Sequence, residues 1–383
     1  MKLIHTSDWH LGRTLHGESL LEYQRNFLDW LTALAVDREV DAVLVAGDVY
    51  DRAIPTTDAV QLLDDVLVGM ARAGVTAVLT SGNHDSAIRL GFGSGLQQAA
   101  GIHIRTRVAD LATPVVLRDE AGEVALYGIP YLLPDAVSEE LAAQRSHESV
   151  LRAAVERVLQ DAAARSITRT VALSHAFVTG ARPCDSERDI RVGGIGDAPA
   201  AVFDGITFTA LGHLHAQQSI NDRVAYSGSP LAFSFSERHH AKSVSLVEIG
   251  ADAAVRVQTV PVPPHRPLRQ VRGRIDELLR RADADLADVA DAWVKAIITD
   301  PTRPRAPMER LRERWPNTLV LDFQPEGPSL GDMDHQSRLP DATAPVEICS
   351  AFVEWVDSTR PTRAQCETFQ TAIEAVARAE LSA

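Results

Sequence analysis

The sequence predicts a layered α/β protein: a large domain of central sheets flanked by helices, a smaller α/β capping domain and a C-terminal helical tail. Three observations carry this. Short, nearly continuous apolar runs alternate with segments of helical period over the first 250 residues. A stiff Pro-rich break, PVPPH (261–265), then interrupts the pattern. Finally, two amphipathic segments follow a stretch, 324–345, that is rich in breakers and poor in large apolar residues.

The elements follow in order. After Leu3 and Ile4, the runs DAVLVAGD (41–48), GVTAVLTSGNHD (74–85), EVALYGIP (123–130), RTVALSHAFV (169–178) and GITFTALGHLH (205–215) read as buried strands. Between them, LLEYQRNFLDWLTALAVDREV (20–40), TTDAVQLLDDVLVGMARAG (56–74) and HESVLRAAVERVLQDAAAR (147–165) set apolar residues three and four apart, and Gly74 supplies a C-terminal stop. From 241, AKSVSLVEIG and AAVRVQTVPV predict an antiparallel pair that closes the large domain, 1–264. RPLRQVRG, IDELLRRA, DAWVKAIITD, MERLRERW and NTLVLDFQP alternate strand and helix and make 265–323 the capping domain. Residues 324–345 read as a linker, and 346–383 as two helices. Ile348, Phe352 and Trp355 share a face of the first helix; Phe369, Ile373, Val376 and Ala377 share one of the second.

Composition narrows the function. With 383 residues, 45% of them hydrophobic, the chain can bury a core without covalent staples. Cys184, Cys349 and Cys366 are odd in number and form no C-x-x-C, which argues against a disulfide framework or a thiolate zinc site and fits a reducing cytoplasm. No apolar run approaches the roughly 20 residues of a membrane helix, and MKLIHTSDWH lacks the long apolar region of a signal peptide, so a soluble, unexported protein is expected. The net charge of -14 repels a polyanion at long range. Any work on nucleic acid must therefore rely on local basic patches, bound metal or a partner.

The chemistry gathers at strand ends. Asp8 and His10 end the first strand, Asp48 the second, Asn83, His84 and Asp85 the third; His175, then His213 and His215, end two later ones. Open α/β sheets place their sites at the carboxyl ends of their strands. On an extended backbone, residues two apart point to one side, so Asp8 with His10, and His213 with His215, are each expected to grip one ion or a neighbouring pair, while Trp9 and Leu214 turn into packing. Gly47, Gly82 and Gly212 let the loops turn sharply or approach a bound group. Oxygen and imidazole donors without sulfur suit Mn²⁺, Fe or Zn²⁺. Seven candidate donors suffice for two ions if Asp48 bridges them, and such a pair implies phosphoester hydrolysis. A lone strand-end histidine such as His175 is ordinarily structural; the ordered set is what gives it weight.

The series D-x-H, G-D-x-x-D, G-N-H-D, a lone strand-end His and G-H-x-H resembles the calcineurin-like metallophosphoesterase superfamily. Within it, HTSDWHLGRTLHG, VAGDVYDRAIP, SGNHDS, SERDIRVGGIGDAPAAVFDGITFTALGHLHAQQ and YSGSPLAFSFSE are similar to the SbcD-type nucleases over residues 1–250, with a weaker likeness in the cap and the weakest in the tail. The resemblance implies one metal held by Asp8, His10, Asp48 and His215 and another by Asp48, Asn83, His175 and His213, with two Mn²⁺ as cofactors and Mg²⁺, Fe or Zn²⁺ as other occupants. It implies that His84 faces the scissile phosphate as a catalytic residue and that Asp85 orients it. At Asp51 some relatives carry a histidine credited with orienting DNA, so here an N-cap or an acceptor behind the ligands is expected. By the same resemblance the chain is a double-strand exonuclease and hairpin endonuclease of DNA repair, recombination and replication, cytoplasmic and nucleoid-associated, with no membrane. It would work with an SbcC-type ATPase docked on the C-terminal helices, as a homodimer within a heterotetramer, the dimer face formed by a helix at 56–73 or 86–99.

Arg13, Arg52, Arg89, Arg188 and Arg191 lie in loops beside these motifs and are candidate DNA phosphate contacts; the alternative is ordinary solvated arginine. HRPLRQVRGR and TRPRAPMERLRER would give the cap a basic, DNA-binding face, and SGSP (227–230) reads as a turn bordering the site. Two alternatives stand beside the nuclease: a metallophosphoesterase of a small phosphodiester or phosphoprotein, and a non-catalytic DNA-end scaffold.

Overall fold

Leu3 and Ile4 point to opposite faces of a strand that is buried on both, and the architecture follows from where those two faces go. The structure, a computed structural model, describes residues 1–187, 197–282, 286, 289–326, 344–357 and 359–380. Arg188, Arg191 and most of the expected linker (327–343) lie outside the described residues, as do the side chains of Trp355 and Ala377. The chain divides into two units, Met1–His265 and Arg266–Ala383.

In the first unit the chain order is β1 (Lys2–Thr6), β2 (Thr14–Leu15), β3 (Glu18–Ser19), α1 (Leu21–Asp37), β4 (Ala42–Ala46), α2 (Thr57–Arg72), β5 (Ala77–Thr80), α3 (Ala87–Leu90), α4 (Ser94–Gln97) and β6 (Ile102–Arg105). There follow β7 (Val115–Asp119), β8 (Gly122–Ile129), α5 (Pro134–Leu141), α6 (His147–Ala164), β9 (Arg169–His175), β10 (Phe208–Gly212), β11 (Gln218–Asn221), β12 (Val224–Tyr226), β13 (Ser243–Ile249) and β14 (Val255–Pro261). Among the described residues they form two six-stranded sheets, ordered β14-β13-β1-β4-β5-β6 and β11-β12-β10-β9-β8-β7. The inner strands run parallel, β1 beside β4, β4 beside β5, β8 beside β9 and β9 beside β10.

The alternation of faces sorts the core into three layers. Ile4, Val43, Val45 and Leu79 meet Phe27, Leu31, Leu62 and Met70 of α1 and α2. Leu3, Leu44 and Val78 face the other way, onto Leu126, Val171, Leu173 and Phe208 of the second sheet. That sheet's outer face, with Tyr127, Ala172 and Leu211, packs on Val150, Leu151, Val155 and Val158 of α6. The unit is thus helix, sheet, sheet, helix. A Leu44→Ala truncation in the middle layer would cost about 2–5 kcal/mol. The helices start where the sequence offers caps: the Thr56 side chain accepts from Ala59 N at 3.3 Å and Ser146 from Ser149 N at 3.2 Å.

Two features differ from the sequence reading. The stretch 86–99 is not one helix but two single turns, α3 and α4, separated by Gly91 and by Gly93 at φ 73°. The hairpin β2-β3, the edge strands β6, β7 and β11, and β12 inside β11 are additional, each short.

In the second unit, β15 (Leu268–Gly273), α7 (Ile275–Arg281), β16 (Trp293–Ile298), α8 (Pro307–Arg314) and β17 (Thr318–Phe323) build a parallel sheet, ordered β15-β16-β17. Its core is Val271, Ile275, Leu278, Val294, Ala296, Leu311 and Trp315. Then come α9 (Pro345–Asp357) and α10 (Arg363–Glu380), which pack on each other. Val346, Cys349 and Val353 of α9 and Cys366, Phe369 and Ile373 of α10 are half-buried, whereas Ile348, Phe352 and Val356 form an exposed apolar row. Among the described residues no helix is long and apolar enough to cross a membrane.

Candidate metal centre

The carboxyl ends of β1, β4 and β5 in one sheet and of β9 and β10 in the other come to one place, and every strand-end candidate arrives there. The local reason differs from the expected one. β1 has ended at Thr6 and β10 at Gly212, so three of the four paired ligands stand on kinked backbone, with φ of 53° at Asp8, 45° at His10 and 108° at His213. Asp48 likewise has φ 49°. Left-handed kinks, not strand alternation, aim these side chains. Trp9 and Leu214 are buried between them, as expected.

Such conformations cost of order 1–3 kcal/mol each and persist only where neighbours over-determine them. Here Asp8 N donates to Gly47 O at 3.0 Å, His10 N to Asp48 O at 2.9 Å and Leu11 N to Val49 O at 2.9 Å. Buried Gln24 locks the same loop, its Nε2 donating to Trp9 O and His10 O while its Oε1 accepts from Gly12 N. At Gly47 a Cβ would lie 2.4 Å from His175 Nδ1, and at Gly212 1.8 Å from Ala46 O, so both glycines are needed for β4, β9 and β10 to close on one another.

Two donor groups share Asp48. In one, His10 Nε2 lies 3.2 Å from His215 Nε2 and 3.6 Å from Asp48 Oδ2, with the Asp8 carboxylate in the same cluster. In the other, Asn83 Oδ1 lies 2.9 Å from His175 Nε2 and 3.2 Å from His213 Nδ1, and His175 Nε2 lies 3.4 Å from Asp48 Oδ2. Donors bound about 2.1 Å from a common ion sit roughly 3.0–3.4 Å from one another, so these separations suit divalent ions. The donors are imidazole nitrogens and carboxylate or amide oxygens, a set for Mn²⁺, Fe or Zn²⁺.

The electrostatics leave most of the donors ready for an ion and His175 with a proton to lose. Burial would raise the Asp48 carboxyl, but the imidazoles of His175, His10 and His84 hold it well below its usual range. For His175 burial works downward, and the Asp48 charge outweighs it and lifts the imidazole to about 9. Burial keeps His10 low and brings His213 to about 3, so both present free lone pairs at neutral pH. Asp8 rises to about 6, chiefly by burial, against the pull of His175 and His215.

Behind the donors, His175 Nδ1 donates to Ala46 O at 2.9 Å, which turns its Nε2 inward. His84 is buried beside His10 and Asp48, its backbone N donating to Asp48 Oδ1 at 2.8 Å and its Nδ1 to Asp51 O at 2.7 Å, with Nε2 4.0 Å from Asp48 Oδ2. Its ring meets that of His10 edge-on at 4.6 Å. Asp85, expected to orient that ring, instead accepts from Val49 N, Tyr50 N and Gly82 N and braces the two loops. Burial and the nearby Asp48 raise its carboxyl to about 7. Asp51 is no N-cap, since Thr56 caps α2; its Oδ1 lies 3.7 Å from His10 Nδ1 and 3.4 Å from Arg13.

Among the arginines, Arg13 stacks on Phe233 at 4.8 Å and donates to Ser186 O, Arg52 lies 3.6 Å from Asp51 Oδ2, and Arg89 donates to Ala53 O. All three are tied beside the site. SGSP follows β12 and borders it, with Ser227 Oγ 3.0 Å from Ser7 Oγ, which in turn donates to Asp8. Four residues that the sequence reading gave no role hold His215: Ser186, Glu187 and Glu237, which lie within the quoted stretches SERDIRVGG and YSGSPLAFSFSE, and Lys242. Spacing offers no hint of them, since 51 residues separate Ser186 from Glu237.

Residues 1–217 match the calcineurin-like phosphoesterase family and 264–346 match the SbcD_C family, described as the type 5 capsule protein repressor C-terminal domain. Among solved structures, TT1561 of Thermus thermophilus is 13% identical, covering 68% of this chain and 98% of its own, with a TM-score of 0.42. The calcineurin-like phosphoesterase YfkN from Bacillus subtilis is 12% identical (68% and 90% covered, TM-score 0.38), and a dimetal phosphatase from Danio rerio is 14% identical (68% and 99%, TM-score 0.40). The two family matches carry the assignment: the chain belongs to the calcineurin-like phosphoesterases, a hydrolase of phosphoesters whose C-terminal SbcD_C domain matches it to an SbcD-type nuclease subunit.

Proposed function

We propose that the chain is a divalent-metal-dependent DNA nuclease that processes duplex ends and hairpins together with an SbcC-type ATPase. The observation that supports it best is the convergence of seven donors in two groups around Asp48, with buried His84 beside His10 and Asp48. Asp8, His10, Asp48 and His215 would hold one ion and Asp48, Asn83, His175 and His213 the other. When bound, such a pair supplies Lewis-acid stabilisation of charge on the phosphoryl oxygens and an activated water.

The chain's own residues do the rest. A backbone carbonyl can only accept, so the bond to Asp51 O keeps a proton on His84 Nδ1 and leaves Nε2 as the working atom. As an imidazolium, His84 stabilises developing negative charge and gives its Nε2 proton to the leaving oxygen. Arg13 and Arg52, paired with Asp51, would meet backbone phosphates. With a net charge of -14 the chain approaches DNA poorly alone. Affinity then comes from the ATPase, docked on the exposed row Ile348, Phe352 and Val356 of α9.

The test is cleavage of a labelled hairpin-ended duplex in Mn²⁺ by wild type and His84→Ala, with and without the ATPase and ATP. Cutting should require His84 and rise with the partner. Hydrolysis of a chromogenic diester with no cutting of hairpin DNA, even with the partner, would replace the nuclease by a small-substrate phosphoesterase.

A further inference from the structure

His215 is gripped at every polar atom except the one turned into the donor cluster. Its backbone N donates to Glu187 Oε1 at 2.6 Å, its carbonyl accepts from Lys242 Nζ at 3.0 Å, and its Nδ1 lies 2.8 Å from Ser186 Oγ. Ser186 Oγ in turn donates to Glu237 Oε1 at 2.6 Å. Glu237 is 1% exposed and forms an ion pair through its other oxygen with Lys242, itself 8% exposed, and it also accepts from Phe233 N at 3.0 Å.

The protons in this chain can be counted. A hydroxyl has one proton, and Ser186 spends it on the Glu237 carboxylate, which can only accept. Ser186 Oγ can therefore offer His215 nothing but a lone pair, so the proton of the neutral imidazole must sit on Nδ1. Nε2 is then left bare, 3.2 Å from His10 Nε2. Lys242 keeps the acceptor at the far end ionised and fixed. The arrangement is a carboxylate behind a metal-facing histidine, with one hydroxyl interposed.

We infer that Glu237, acting through Ser186 and anchored by Lys242, is a positioning residue that sets the tautomer of His215 and thereby the affinity of the ion site formed by Asp8, His10, Asp48 and His215, leaving the site of Asn83, His175 and His213 untouched. The inference rests on the metal-centre reading proposed above. Glu237→Gln keeps the shape and the bond to Lys242 but turns an N–H₂ toward Ser186. The hydroxyl proton is then free to donate to His215 Nδ1, which favours the tautomer protonated at Nε2. Ser186→Ala cuts the same relay and leaves the Glu237–Lys242 pair intact, so it guards against a folding defect in the first variant.

The experiment titrates Mn²⁺ into the metal-free full-length chain by calorimetry, and reads the histidine tautomers of the same preparation from ¹⁵N chemical shifts. In both variants one of two Mn²⁺ sites should weaken by about 10–100-fold while the other stays as in wild type. In Glu237→Gln the His215 proton should move from Nδ1 to Nε2. Unchanged Mn²⁺ affinity with an unchanged tautomer overturns the inference, as does equal loss at both sites together with a lowered melting temperature in both variants. Wild type that takes up no Mn²⁺ would remove the metal-centre reading itself, a result distinct from either.

Discussion

The two donor groups that share Asp48 are steadied by different means. In the group of Asn83, His175 and His213, no relay of remote side chains is involved: Ala46 O of the main chain holds His175 Nδ1, and His213 N donates to the carboxylate of Asp8, itself a donor of the centre, at 3.0 Å. In the group of Asp8, His10 and His215, side chains do this work, through Ser186, Glu237 and Lys242 behind His215. Among the described residues His10 Nδ1 has only the Asp51 carboxylate, 3.7 Å away and beyond hydrogen-bond reach. A carbonyl cannot be substituted, so the hold on His175 should resist point mutation outside the donors themselves, whereas the affinity of the second group can be tuned from residues that never touch an ion.

The largest effect should erase the contrast altogether. Asp48→Ala takes a donor from both groups and strips His175 of its counter-charge, so neither site should hold Mn²⁺ and hydrolysis should fall more than about 10³-fold. Calorimetry and a diester assay check both. Next, His84→Ala should lower kcat by about 10²–10⁴-fold while Mn²⁺ uptake and the melting temperature stay put. Because His84 Nε2 lies 4.0 Å from Asp48, a parallel loss of Mn²⁺ would make it a ligand and redraw the boundary between the groups.

A third effect distinguishes the groups by pH. In the metal-free protein His175 is lifted from 6.5 to about 9 by Asp48, once burial is overcome, so its pairing stabilises the fold fully below pH 6.5 and is lost as pH rises through 9. Metal uptake between those values must expel that proton. Binding at the Asn83–His175–His213 site should therefore tighten as pH rises toward 9 and release about one proton, which calorimetry in buffers of different ionisation enthalpy would reveal. His10 is already neutral there, so no such release should accompany filling of the other group through it. The smallest effect on the isolated chain should come from Ile348→Ser with Phe352→Ser, which leaves metal uptake and hydrolysis unchanged and abolishes only co-elution with the ATPase.

The sequence made the donors legible because their residue types are costly to bury without purpose and because all of them follow apolar runs. It also showed the layers, since alternation along β1 and β4 sends Leu3 and Leu44 one way and Ile4 and Val43 the other. It misjudged how the donors are aimed: strand alternation cannot foretell the left-handed backbone at Asp8, His10 and Asp48, which depends on hydrogen bonds from Gln24 and from the loop after β4. The helix expected at 86–99 breaks into two turns at Gly91 and Gly93, residues that the sequence reading did not weigh. The role of Ser186, Glu187, Glu237 and Lys242 was illegible, although the first three lie in motif stretches, because ordinary polar residues become partners of His215 only once distant loops meet.

Anomalous scattering at the manganese edge, from crystals of the full-length chain grown with Mn²⁺, tests the central claim most directly. Two peaks should appear, one on each side of the Asp48 carboxylate, the first among Asp8, His10 and His215 and the second among Asn83, His175 and His213. A single peak, or peaks away from Asp48, would contradict a shared two-ion centre.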